Sequence, residues 1–453
     1  MKVELAGHYG LGRLVRTSMP TIAMMIITSV YSIVDGFFVS NYAGSTAFAS
    51  MNLVWPILAL ISAVGLMIGT GGSALVSKTL GEGDVRRANE TFTLLIRTAI
   101  IIGIAITAVV FIFMERLTIA LGAEGDMIPR ATMYGRIVIL AMPAFILQMA
   151  FQSFYMTAEI PAFGTMMSIL SGCINIALDA LFVVVFKWGL SGAAVATAIS
   201  LFVGGILPLW YFSSGRNTTQ LKLLRTCGTN WKAIGQSCTN GMSEYVGNIA
   251  LNIVSIAYNL QLMKYIGENG VSAYGIIMYV GFIFSAVFIG YNLCVSQVIA
   301  FNFGAGNRDE LRSLLTKSIL LTGIGGIVLT ALAEISAPTL ARIFVGYDAD
   351  LCELAIRAIR IYMLSFILCG FNMFCSAWFT ALSNGLVSAA AAFTRTLIFE
   401  LGAVMVVPAI IGIDGIWVCV SIAETLALIM SAALIFAYRK RYLIDPSEKI
   451  LKK

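Results

Sequence analysis

Gly81-Glu-Gly-Asp-Val-Arg-Arg-Ala88, at the end of a long apolar run, returns 223 positions later as Gly304-Ala-Gly-Asn-Arg-Asp-Glu-Leu311. The same offset carries Gly189-Leu-Ser-Gly192 onto Gly412-Ile-Asp-Gly415, and 223 is close to half of the 453 residues. The chain therefore reads as two like halves. In a membrane, two like halves can hold a site at their interface and rock about it. Within each loop a glycine ends the preceding helix, and Asp84 or Asn307 is placed to cap the next one. Asn307 with Glu310 has capping-box spacing. Neither loop is a phosphate cradle, because the Lys-Ser/Thr ending of a P-loop is missing.

The runs flanking these loops fix the solvent. With 59% hydrophobic and 11% charged residues, and a mean hydropathy of +0.91, the composition is that of an integral membrane protein. About 20 apolar residues cross a bilayer as a helix. Twelve stretches qualify: 16–40, 50–78, 92–114, 132–155, 162–186, 191–212, 235–262, 271–300, 314–335, 354–381, 386–411 and 415–438. Beta-barrel strands would be shorter and alternating. The expected fold is all-α, with twelve transmembrane helices in two six-helix lobes. An even number of spans per half makes the repeats parallel, related by an axis along the membrane normal.

This predicts an N-terminal lobe over 1–215, a linker over 216–234, a C-terminal lobe over 235–438 and a basic tail over 439–453. Nineteen of the 29 lysines and arginines fall on the side of the N-terminus, alternate loops and the C-terminus, eight fall opposite, and Arg97 and Arg395 lie within spans. The positive-inside rule puts both termini in the cytoplasm of a multi-pass cell-membrane protein. No cleavage-type site follows the first run, so it is expected to remain as a span. Bilayer lipid is the expected surround, and the dispersed charge of +6 gives no nucleic-acid footprint.

The eight cysteines form no metal-type motif, and the single histidine, His8, precedes the first span. No metal centre, cofactor, nucleophile–base pair or histidine relay is predicted, and the chain does not read as an enzyme. Six of the 23 acids lie inside spans: Asp35, Asp179, Glu244, Glu334, Glu400 and Glu424. Charges at that depth are costly and usually functional. Tyr31 is one helical turn before Asp35, and Pro20, which interrupts backbone hydrogen bonding, lies in the same span. Asp35 is either an interfacial carboxylate or a functional one. Asn175 and Asp179 share a face of the fifth span, and an amide oxygen with a carboxylate makes a hard-cation half-site. Thr197 on the sixth span adds a hydroxyl. The same groups would serve an interhelical clamp, and spacing leaves both readings open. Gln148, Gln152 and Gln297 need buried partners. Interhelical bonds are their ordinary use, and a substrate cavity is the other. Glu244 reads as an interfacial anchor, and Glu400, Arg395 and Glu424 as a structural ion-pair group.

Pro20 with Asp35, Asn175-x-x-x-Asp179, Thr197 and the two Gly-x-Gly loops together resemble the MATE family, the multidrug and toxic compound extrusion transporters. The resemblance covers essentially the whole chain. It implies a monomeric secondary antiporter exporting small organic cations in exchange for Na+ or H+, by alternating access. It further implies a cation site formed by Asp35, Asn175, Asp179, Thr197 and the Ala193 carbonyl, with a first helix that bends at Pro20. Some members also carry acids on helices seven and ten of the second lobe, whereas the tenth span drawn here has none. A flippase for lipid-linked sugars or cell-wall precursors is the other transporter expectation. It would want cationic residues in its cavity, and the spans hold six acids against two arginines. An ion channel would differ by passing current without a counter-gradient.

Overall fold

Helix starts follow local chemistry. The Asp84 side chain accepts from Arg87 N at 2.9 Å and Asn307 from Glu310 N at 3.1 Å, satisfying donors the helix leaves free. In both loops it is the second glycine that turns the chain, Gly83 at φ +87 and Gly306 at φ +70, a region favourable to glycine. Gly189 and Gly412 open the sixth and twelfth spans with matching φ of +59 and +82. The backbone repeat is thus faithful at its joints.

The structure, a computed structural model, describes residues 3–346 and 348–443; most of the tail expected over 439–453 lies outside the described residues. All described regular structure is helical. Among the described residues ten helices are long and apolar enough to span a bilayer: Leu11–Ala43, Thr46–Gly81, Val85–Ala120, Pro161–Val185, Leu190–Ser213, Trp231–Tyr265, Asn269–Gly304, Arg308–Val345, Gly385–Ile411 and Ile413–Tyr442. The expected fourth and tenth spans are bent pairs, Met127–Ile139 with Met142–Thr157 (56°) and Ala349–Met363 with Phe366–Ala381 (45°). Counting each pair once gives twelve.

The bends fall at matching places in the two halves. Pro143 stands just after the first, where it cannot donate to the preceding turn. The second has no proline and is closed by i→i+3 bonds, Ser365 N to Tyr362 O and Leu368 N to Ser365 O, both 3.1 Å. The tenth span starts earlier than its hydropathy suggests and includes Asp350 and Glu353, both exposed. Wide π-helical turns end the first span (Val39–Ala43) and interrupt the fifth (Ala180–Val185) and eleventh (Thr394–Glu400).

Each half has its own apolar core. One is built from the first six spans and one from the seventh to the twelfth. A third joins residues 3–14 to the eighth, ninth, tenth and twelfth spans near the face that carries both termini.

The lobes meet where the second span packs on the seventh and the first on the eighth. Backbone touches backbone there. A Cβ on Gly81 would stand 2.0 Å from Phe301 O, and one on Gly304 2.0 Å from Lys78 O. These two contacts are images of each other under the 223-residue repeat. Gly71 meets Ser237 O at 2.0 Å and Gly241 meets Met67 O at 1.9 Å in the same sense. Gln297 seals the same region. Its amide oxygen accepts from Ser77 (3.0 Å) and Thr157 (3.2 Å) of the first lobe, and its amide nitrogen donates to Ser73 at 2.8 Å. The lobes are closed on the terminus-bearing side.

The segment before the first span lies across that closure. Val3 N donates to Glu159 O and Leu5 N to Glu159 Oε1, each at 3.0 Å, on the first lobe. Tyr9 N donates to Glu310 Oε1 at 2.9 Å and His8 Nδ1 lies 2.7 Å from Glu310 Oε2, on the second. Lys317 Nζ also donates to Tyr9 O. Glu310 therefore does not complete the capping box expected with Asn307; it holds the N-terminal strap instead. Bonds to charged groups contribute about 1.5–3 kcal/mol each. Glu310→Gln is expected to open the terminus-bearing side roughly 10-fold more often. A cysteine at buried Ser237, in a chain lacking its native cysteines, should be labelled correspondingly faster by an impermeant maleimide.

Candidate functional site

Asp35, Asn175 with Asp179, and Thr197 stand on three spans of the first lobe that pack in sequence. The first packs on the fifth and the fifth on the sixth, with Ser171 Oγ donating to Ser200 O at 2.8 Å between the latter two. Asp179 is fully buried, Asn175 2% exposed and Asp35 7%. The Asp35 and Asp179 carboxyls are within hydrogen-bonding reach of each other across the interface. Ala193 is buried on the first turn of the sixth span.

The distinctive feature is what these oxygens lack. Asp35 Oδ1, Asn175 Oδ1, both Asp179 oxygens and Thr197 Oγ1 are buried without a hydrogen-bond partner among the described residues. Buried polar groups in native proteins are ordinarily paired, and an interhelical clamp would show those bonds. Oxygens with no donor are the ligand type of a hard cation. The arrangement fits Na+, and a proton shared by the two carboxyls would answer it too.

Two tyrosines stand near the carboxylates. Tyr31 is within hydrogen-bonding reach of Gln148 and close to Asp35. Tyr134, fully buried before the bend of the fourth span, lies near both carboxylates, and its hydroxyl has no partner. Sequence reasoning missed Tyr134, because one tyrosine in an apolar run carries no signal of its own. Gln148 and Gln152 line the fourth span here, leaving Gln148 Oε1 and Gln152 Nε2 unpaired. Gln297 is elsewhere, fully bonded in the closure between the lobes. Pro20 lies inside a continuous helix and its carbonyl accepts from Thr165 Oγ1 of the fifth span at 2.7 Å.

The remaining intramembrane charges separate. Arg97 is exposed and donates to backbone carbonyls of the linker, Leu224 O and Arg225 O. Glu334 pairs with Arg360 at 3.4 Å, and Glu244 is exposed. Arg395 takes Glu424 as its partner at 2.6 Å. Among the described residues no three His, Cys, Asp or Glu side chains group as a metal site.

Two six-span lobes, closed on one face and carrying a buried pair of carboxylates in the first, have the architecture of the solved MATE transporters. A crystal structure of MATE in the straight conformation superimposes with a TM-score of 0.90 over 96% of this chain and 98% of that one, at 21% identity. An outward-facing multidrug resistance MATE transporter gives 0.90 over 97% and 100%, also at 21%. The MatE family model matches residues 20–181 and 245–404, and the chain belongs to that family. Among its relatives is the multidrug export protein MepA of Staphylococcus aureus (strain MSSA476), 22% identical over 436 residues, covering 96% of this chain and 95% of that protein. MepA of Staphylococcus haemolyticus is 22% identical over 434 residues, with the same coverage.

Proposed function

We propose that the protein is a secondary antiporter that exports organic cations in exchange for Na+ or H+. The observation that carries this is the set of donor-less oxygens on Asp35, Asn175, Asp179 and Thr197. By the positive-inside rule the terminus-bearing face is the cytoplasmic one, and the closed lobes then correspond to an outward-facing state. The coupling cation enters from outside and settles between Asp35 and Asp179, with Asn175, Thr197 and the Ala193 carbonyl as further ligands. Neutralising that pair draws the first span toward the fifth and sixth. The helix has one weak point for this movement, Pro20, where a backbone hydrogen bond is absent. A bend there displaces Thr21 and Ile22, whose backbone lies against Gly290 of the other lobe, so the site and the lobe interface move together. The chain supplies both lobes and acts as a monomer.

A flippase for phosphate-linked lipids would need a free buried cation. Arg395 is committed to Glu424 and Arg97 to the linker, which favours cationic cargo. Ethidium efflux from proteoliposomes under separately imposed Na+ and pH gradients tests the reading. Efflux is expected to follow one gradient and to fall to the leak rate, about 10-fold or more lower, when it collapses. Equal flux without either gradient would identify a channel-like pathway instead.

A further inference from the structure

The second lobe holds three charges at membrane depth, Arg395, Glu400 and Glu424, which sum to one negative charge. Arg395 donates from Nε and one terminal nitrogen to Glu424 Oε1 at 2.9 and 2.6 Å, and its nitrogen also reaches Cys369 Sγ at 3.3 Å. Asn372 Nδ2 satisfies the other oxygen of Glu424 at 2.7 Å and its backbone carbonyl at 2.9 Å. Arginine and glutamate therefore cancel. Glu400 remains, half-buried and within electrostatic range of that same Arg395, with no hydrogen bond or salt bridge of its own among the described residues. Leaving a charge unpaired in such a place is costly.

Glu400 does not escape to lipid. Its helical neighbours Thr396, Ala403, Val404 and Val407 are all buried, so it shares the face turned into the lobe. It ends the π-helical turn Thr394–Glu400, a local widening frequent at functional sites. Tyr258, Tyr274 and Tyr362 lie within electrostatic range of it. Tyr258 stacks on Tyr274 with centroids 4.7 Å apart and meets Tyr362 at 6.4 Å. Tyr258 occupies the repeat position of Asp35, so the second lobe has aromatic rings where the first has an ion ligand. The Asn372 Oδ1 acceptor, on a side chain 3% exposed, is also without a donor.

We propose that Glu400 and the surrounding tyrosines form a docking site for organic ammonium cargo, separate from the Asp35–Asp179 pair. One carboxylate beside aromatic rings suits a single diffuse positive charge, and the spare Asn372 oxygen accepts an N–H of an amino-substituted cation. A small inorganic ion, which wants several oxygens, is less well served here than in the first lobe.

The inference rests on the reading of the protein as an exporter of organic cations, but equilibrium binding tests it without a gradient. Ethidium binding to the purified chain, followed by fluorescence anisotropy, should weaken at least about 10-fold in Glu400→Gln and stay within about 3-fold in Glu400→Asp. Glu244→Gln, at an exposed acid of the seventh span, should bind ethidium as the wild type does. Wild-type affinity in a folded Glu400→Gln overturns the site. The unaltered chain provides a second measurement: ethidium should protect Glu400 from dicyclohexylcarbodiimide, mapped by peptide mass spectrometry. Equal labelling with and without ethidium also overturns it. Dye that binds normally to a chain that never couples would instead count against the antiport reading alone.

Discussion

Asp179→Asn is expected to lose gradient-driven efflux by on the order of 100-fold while unfolding no earlier than the wild type. The flux estimate is scaled from metal sites, where losing even an outer-shell partner costs about 10–100-fold in affinity or activity. The stability half of the expectation separates two readings of the same residues. If Asp179 were a clamp between helices, its oxygens would accept bonds, and asparagine would break them. Neither oxygen has a donor from a neighbouring helix apart from the facing Asp35 carboxyl, and an amide of nearly the same shape can keep that contact while removing one of two adjacent negative charges. Thermal unfolding in detergent should therefore be unchanged or higher. For a Na+-coupled transporter, saturating sodium should also stabilise the wild type, by about 2.7 kcal/mol at 100 times the dissociation constant, and should do nothing for the variant. Early unfolding with transport largely retained would return Asp179 to a structural role.

Gly304→Val is expected to hold the protein open on the terminus-bearing side and to stop turnover. Even the first carbon of the new side chain would lie 2.0 Å from Lys78 O, inside van der Waals contact with backbone that cannot swing away. Overpacking of this kind costs about 1–3 kcal/mol or more, enough to shift a two-state equilibrium by about 5- to 150-fold. Because Gly81 faces Phe301 O at the same 2.0 Å, Gly81→Val should give the same phenotype, which a local folding defect in one lobe would not. The reporter cysteine at Ser237 reads the effect as faster labelling. A variant that labels slowly and transports normally would mean that the lobes never need this contact.

Much of this was legible in the sequence because membrane depth makes charge conspicuous. Asp35 and Asp179 stand out against apolar neighbours, and the structure brings them together. The joints were legible too, since Asp84, Asn307, Gly189 and Gly412 act within a turn of themselves. What escaped depends on distant partners. Gly81 and Gly304 look like helix stops, yet they clear space for the opposite lobe, while Gly83 and Gly306 make the turns. Glu310 has local capping spacing but is claimed by His8 and Tyr9, some 300 residues earlier. Arg97 looks intramembrane until the linker folds back on it. Tyr134 and the bend after Met363 carry no local mark.

The strap formed by residues 3–9 has a consequence for how the molecule is made. These residues are made before any of the twelve spans, yet Glu159 is synthesised only after four of them, and Glu310 and Lys317 belong to the ninth. Until then their backbone donors have no partner but water. The strap is thus among the last elements to dock, and its docking marks a chain whose two halves have both been inserted and joined.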